Sequence, residues 1–116
     1  MDALEELEVW KRSKQLAVSI YKILSNCSDR GYKDQVTRAS ISVPSNIAEG
    51  YERFLKKEFI NYLRIAKGSC AEVRTQLIIG QEIGYLDINT SNKLIQETRE
   101  ISKMLYGLIK YCKNHC

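Results

Sequence analysis

Residues 57–80 read KEFINYLRIAKGSCAEVRTQLIIG, and this stretch decides the fold. Phe59, Leu63, Ala66, Cys70, Val73, Leu77 and Gly80 follow one another at alternating steps of four and three. That spacing keeps one side of an α-helix apolar for about six turns. Gly68, Ser69 and Ala71 are small and let a neighbouring backbone approach closely. Ile65, Ile79 and Ile83 draw a second apolar line, interrupted by Glu72 and Gln76. A helix with two apolar lines either has a wide core face or meets another subunit.

The same periodicity continues on both sides. The pattern above predicts a helix over about residues 56–83, and three more are predicted around it. Upstream, Val36, Ala39, Val43, Ile47, Gly50 and Phe54 make the stripe of a helix over about residues 33–54. Arg38, Ser42, Ser45, Glu49 and Arg53 recur on its other face. Pro44 falls inside this pattern, where it removes the bond to the carbonyl of Ser40. Either the helix ends at Val43 or it continues with a kink. The stripe keeps its phase through Gly50, which favours one kinked helix with serines 40, 42 and 45 helping to solvate the freed carbonyl. A first helix is expected over about residues 7–27, with Trp10, Ala17, Tyr21 and Leu24 on one side and Leu16, Ile20, Ile23 and Cys27 beside them. Ser28 to Gly31 reads as a turn. Gly84 looks like a helix C-cap, and Asp87 or Asn89 can cap a fourth helix over about residues 90–113. Its inward positions are Leu94, Ile101, Leu105, Leu108 and Cys112.

Long helices joined by short connections must be antiparallel neighbours. The expected architecture is therefore all-α: an antiparallel up-down four-helix bundle in a single domain over residues 1–116. Hydrophobic residues at 44% and charged residues at 28% rule out a disordered chain. One proline, six glycines and no hairpin dipeptides argue against an all-β fold. Residues 1–8 show no secretory leader, and no run of eighteen apolar residues suggests a membrane span. The four cysteines (Cys27, Cys70, Cys112 and Cys116) read as reduced thiols of a cytoplasmic protein.

Few residues offer chemistry. Cys112, His115 and Cys116 have i, i+3, i+4 spacing, but zinc would need a fourth ligand and none stands nearby. His115 is the only histidine, which removes the di-iron pattern of helical bundles and leaves any catalytic dyad to one terminal residue. Cys70 lies on the apolar stripe and is expected to be inert. There is no phosphate-binding loop and no dinucleotide motif. No enzyme activity, metal or cofactor is expected.

The net charge of +4 is modest, so it matters whether the basic residues cluster. Lys11, Arg12 and Lys14 cluster on the first helix. Arg53, Lys56 and Lys57 crowd the junction of the second and third. Arg64, Lys67 and Arg74 run along the third. Such residues can hold phosphates, or they can be ordinary solvated helix surface. The short polar groups Ser42, Ser45, Asn46 and Glu49 suit a subunit or partner interface; the alternative is that they serve the proline kink.

The stretch DQVTRASISVPSNIAEGY at residues 34–51 resembles the central motif of bacterial four-helix-bundle proteins encoded in intervening sequences of 23S ribosomal RNA genes, often labelled S23 ribosomal proteins. Further matches are Leu7 to Trp10, Lys57 to Phe59, Leu63 to Ser69, Glu72 to Leu77, Gly84 to Leu86 and Met104 to Ile109. The resemblance spans nearly the whole chain. It implies a four-helix bundle that assembles as a homopentamer, with a poorly defined role. Related proteins are accessory factors of diversity-generating retroelements, basic pentamers that bind nucleic acid and a reverse transcriptase. The motif positions carried over are Arg38, Pro44, Ser45, Asn46, Glu49, Gly50, Arg53, Gly68, Ser69, Glu72 and Gln76, read as structural and interface residues. Leu55 departs from the Ser, Thr or Asn cap expected before the third helix. Two functions follow: an oligomeric RNA-binding bundle, or a scaffold that docks a partner enzyme.

Overall fold

The computed structural model describes residues 3–53 and 55–115. Phe54 and Cys116, which the sequence pattern uses, lie outside the described residues. A single-turn helix α1 (Ala3–Glu6) leads into four long ones: α2 (Glu8–Ile23), α3 (Arg30–Glu52), α4 (Lys56–Glu82) and α5 (Ile88–His115). No strand occurs among the described residues. Each long helix packs on the next, and α5 closes back onto α2. So α2 and α4 stand at opposite corners of a four-helix bundle. The 27 residues of α4 span about 40 Å at 1.5 Å each, which matches the 44 × 23 × 21 Å dimensions.

Contacts between neighbours show the antiparallel sense. Tyr32 near the start of α3 donates to the Gln76 carbonyl near the end of α4 (2.5 Å), while Ser42 and Ser69 meet midway (2.8 Å). Lys56 at the start of α4 reaches the Lys113 carbonyl at the end of α5 (3.2 Å), and Cys70 reaches Thr98 midway (3.2 Å).

One core runs the length of the bundle. Val36, Val43, Ile47, Leu63, Cys70, Val73, Leu77, Ile101 and Leu105 are fully buried within it. The stripes of α3 and α4 are therefore as expected from their periodicity, except at the start of α4, where Ile60 is buried and Phe59 only half-buried. On α5 the stripe is rotated: Ile95 and Ile109 are buried, whereas Leu94 and Leu108 are only half-buried. On α2, Val9 and Ser13 are buried, while Tyr21 is exposed. Steps of three and four allow both choices; the neighbouring helices select one.

The helix ends follow local chemistry. Asp29 caps α3 by accepting from the Tyr32 amide (3.1 Å), so α3 begins three residues before the predicted start. Its carboxyl is held below the usual range, first by the Tyr85 hydroxyl and then by that amide. Asp87 caps α5 through the Thr90 amide (2.9 Å). Leu55 occupies the N-cap of α4 without a side-chain bond, as its sequence suggests. Gly84 at φ +83° ends α4, with Gly84 N–H on the Gln81 carbonyl and Tyr85 N–H on that of Gly80. This paired arrangement needs a left-handed residue and so needs glycine. The helix α2, predicted as the first, stops at Ile23 rather than near Cys27, because Ser25 and Cys27 bond three residues back in tighter turns.

The helix α3 runs unbroken through Pro44, which is buried. The serines do not take the role expected of them. Ser40 donates to the Thr37 carbonyl (2.8 Å), and Ser42 pairs with Ser69.

Candidate nucleic-acid interface

The basic residues divide into two kinds once the helices are assembled. Arg12 makes a two-pronged bond to Glu97 on α5, with Nε–Oε2 at 2.9 Å and the second pair at 2.6 Å. That hydrogen bond raises its pKa despite the opposing effect of desolvation. Lys14 lies over the Trp10 ring at 5.5 Å, and Lys11 is 4.0 Å from Glu8. Arg53 bonds Glu49 (3.0 Å) and sits over the Tyr62 ring at 5.2 Å. Each of these four has a partner within the chain. The α2 cluster also stands at the corner opposite α4, so it does not join the cations there.

The others converge. Residues 57, 64, 67 and 74 share the side of α4 that turns toward α5. There the two helices bound a groove. One section, about 420 Å³, is lined by Lys67, Arg74, Arg99, Ser102, Lys103 and Tyr106. A second section, about 390 Å³, is lined by Lys56, Lys57, Ile60, Arg64 and Lys113. The two sections hold eight cations and no carboxylate among their lining residues. From Lys56 to Arg74 the α4 wall extends about 27 Å.

Supporting contacts keep these charges in place without cancelling most of them. Arg74 donates to Thr98 through Nε to the hydroxyl (3.0 Å) and a second nitrogen to the carbonyl (3.4 Å). Both acceptors are neutral, so the guanidinium is oriented but keeps its full charge. Lys56 is held by a carbonyl in the same way. Lys103 is 3.7 Å from Glu100 in an exposed pair, the kind that contributes little. Gly68 and Ala71 leave this part of α4 low; an added Cβ at Gly68 would meet nothing within 4 Å.

The residues missed by sequence reasoning are Arg99, Ser102, Lys103, Tyr106 and Lys113, all on α5. A signal existed. Residues 99, 103, 106, 110 and 113 repeat at helical spacing and are basic apart from Tyr106.

Apart from Gly68, which borders the groove, the motif residues lie elsewhere. Residues 65, 72, 76, 79 and 83 turn toward the α3 side of α4. Asn46 donates to the Ser42 carbonyl (2.8 Å) and hydroxyl (3.0 Å), and Ser42 meets Ser69, so these polar groups link α3 to α4. Beside them Asp34, Gln35, Arg38, Ala39, Ser42 and Glu72 line a cleft of about 340 Å³. Gln76 Nε2 lies 3.5 Å from Glu72, while its Oε1 is buried with no hydrogen-bond partner. Ser45 is exposed, and Gly50 is buried against α4. Gly50 and Pro44 are thus packing positions inside the bundle. Ile65, Ile79 and Ile83 are 46%, 49% and 54% exposed, so the second apolar line is not core.

The other chemistry is spare. The Cys70 thiol is pushed up to about 11, mainly by burial, and is correspondingly unreactive. His115 stacks on Tyr111 at 4.3 Å. No metal-binding group of histidine, cysteine or carboxylates occurs among the described residues. Among the described residues no helix is long and apolar enough to cross a membrane.

Residues 5–107 match the family described as 23S rRNA-intervening sequence protein. The chain belongs to this family. Its fold is also that of a crystal structure from the S23 ribosomal protein family of Bacteroides thetaiotaomicron, described as a protein with unknown function. The two are 27% identical with a TM-score of 0.82, over 88% of this chain and 98% of the other. No curated protein matches the chain. Family membership thus accounts for the bundle and the motif at residues 34–51, and it brings no assigned activity.

Proposed function

We propose that this member of the family is a non-catalytic, homo-oligomeric bundle that binds structured RNA through the α4–α5 groove. The observation that carries the reading is the eight cations gathered there without a lining carboxylate. The whole chain has 18 basic against 14 acidic residues, so the groove is far more one-sided than the chain. A low-walled, single-sign channel attracts a polyanion. The family description names a 23S rRNA intervening sequence, which supports ribosomal RNA as the RNA concerned. A homopentamer, implied by the sequence resemblance, would repeat the groove five times and add to the field in the cytoplasm.

Fluorescence anisotropy with structured RNA across a salt series tests this, with oligomer mass checked and duplex DNA as competitor. Affinity should fall steeply with salt. Lys67→Glu with Arg74→Glu should weaken binding and lower the salt slope by about 1.5, as expected for two lost phosphate contacts. Unchanged binding would remove the groove from the reading.

A second reading rests on the α3–α4 face. The exposed isoleucines there and the cleft beside Arg38 and Glu72 suit a protein surface. In this reading the oligomer is a scaffold that docks an enzyme such as a reverse transcriptase. Retained binding of such a partner by the groove variant would favour it.

A further inference from the structure

The groove contains one group that charge neutralisation does not use. Tyr106 stands on its α5 wall, 59% exposed, between cations of both helices. Among the described residues its side chain has no hydrogen bond, ring contact or cation against it. Of the other rings, Tyr111 is covered by His115, Tyr62 by Arg53 and Trp10 by Lys14, whereas Tyr21 is open but stands on α2, outside the groove. Tyr106 presents an open ring face inside a cationic channel.

The width of the channel also matters. Its walls are two packed helices, whose axes lie about 8–10 Å apart. Lys67 and Arg74 come from one wall and Arg99 and Lys103 from the other, so their charges converge on the strip between two adjacent helices. A duplex carries its phosphates on two separate strands and hides its base faces in the stack. Unpaired nucleotides in loops and bulges expose both, and their bases stack on aromatic side chains.

Resting on the RNA-binding reading above, we infer that the groove takes an unpaired RNA stretch, with a base stacked on Tyr106 and its phosphates between Lys67, Arg74, Arg99 and Lys103. Structured RNA would then be held by a loop or bulge.

The test compares fluorescein-labelled oligouridine of about 12 nucleotides with a blunt RNA duplex of the same length. Wild type, Tyr106→Ala, Tyr106→Trp and the Lys67→Glu, Arg74→Glu pair are measured at one salt concentration. Tyr106 is exposed, and thermal melts and oligomer mass confirm that each variant is assembled. Oligouridine should bind at least about tenfold tighter than the duplex. Tyr106→Ala should weaken oligouridine about tenfold and leave the duplex unchanged, and Tyr106→Trp should restore binding. Equal affinity for both RNAs overturns the inference. So does an inert Tyr106→Ala beside a charge-reversal pair that abolishes binding, a result that leaves the RNA reading standing. If neither change affects binding, both readings fail.

Discussion

Replacing Gly50 by Ala tests how closely α3 and α4 approach. A Cβ at Gly50 would lie 2.6 Å from Tyr62 Cβ, 3.1 Å from Phe59 Cδ1 and 3.4 Å from Phe59 Cα. Carbon atoms prefer about 3.5–4.0 Å, so the first contact overlaps by about 1 Å. The Tyr62 Cβ is fixed to the α4 backbone, and no rotamer moves it away. The helices must part, and overpacking of this kind costs about 1–3 kcal/mol. Against this, alanine improves on glycine inside a helix by about 0.5–1 kcal/mol. The net expectation is a loss of about 1–2 kcal/mol. Gly107 provides the control, because a Cβ there meets nothing within 4 Å. Gly107→Ala should gain about 0.5–1 kcal/mol, since only the propensity term applies. The assay is urea and thermal unfolding followed by circular dichroism, at one protein concentration because the proposed assembly would contribute to apparent stability. A change of 1 kcal/mol moves Tm by about 4 °C for a chain of this size. The two variants should therefore shift Tm in opposite directions. A Gly50→Ala protein as stable as Gly107→Ala would refute the close approach.

Two further predictions concern groups outside the groove. The side chains of Arg12 and Glu97 are 36% and 29% exposed, so solvent screens their pair; a double-mutant cycle with Arg12→Ala and Glu97→Ala should give a coupling of about 1 kcal/mol, while RNA binding stays unchanged in Arg12→Ala. Tyr32 is raised to about 12, chiefly by burial, so the folded state holds its proton more tightly than the unfolded chain. Its contribution is complete below the ordinary value of about 10 and is lost as pH rises from there toward 12; urea midpoints should fall over that range, and less steeply in Tyr32→Phe.

Much of the fold could be read from residue spacing because burial is periodic along a helix. Steps of three and four placed Val36 to Gly50 and Leu63 to Gly80 in the core without knowledge of their partners. Capping is just as local: Asp87 and Gly84 act within a few residues of their own positions. The stripe of α5 was harder. Leu94 and Ile95 are both apolar, and so are Leu108 and Ile109, so only the packed neighbours decide which is buried.

The candidate site divides along the same line. The sequence by itself determined that α4 has a basic side and that the Ser42 to Glu49 face is short and polar. Only the tertiary structure decided which cations act together. It pairs Arg12 with Glu97, which is far away along the chain, and thereby takes Arg12 out of the basic surface. It brings Arg99, Lys103 and Tyr106 opposite Lys67 and Arg74, because the antiparallel register of α4 and α5 sets which residues face each other. It also turns Gly50 from a motif residue into a point of helix contact. The physical reason is range: periodicity and capping act over a few residues, whereas charge pairing and close approach depend on distances that exist only after the helices have packed.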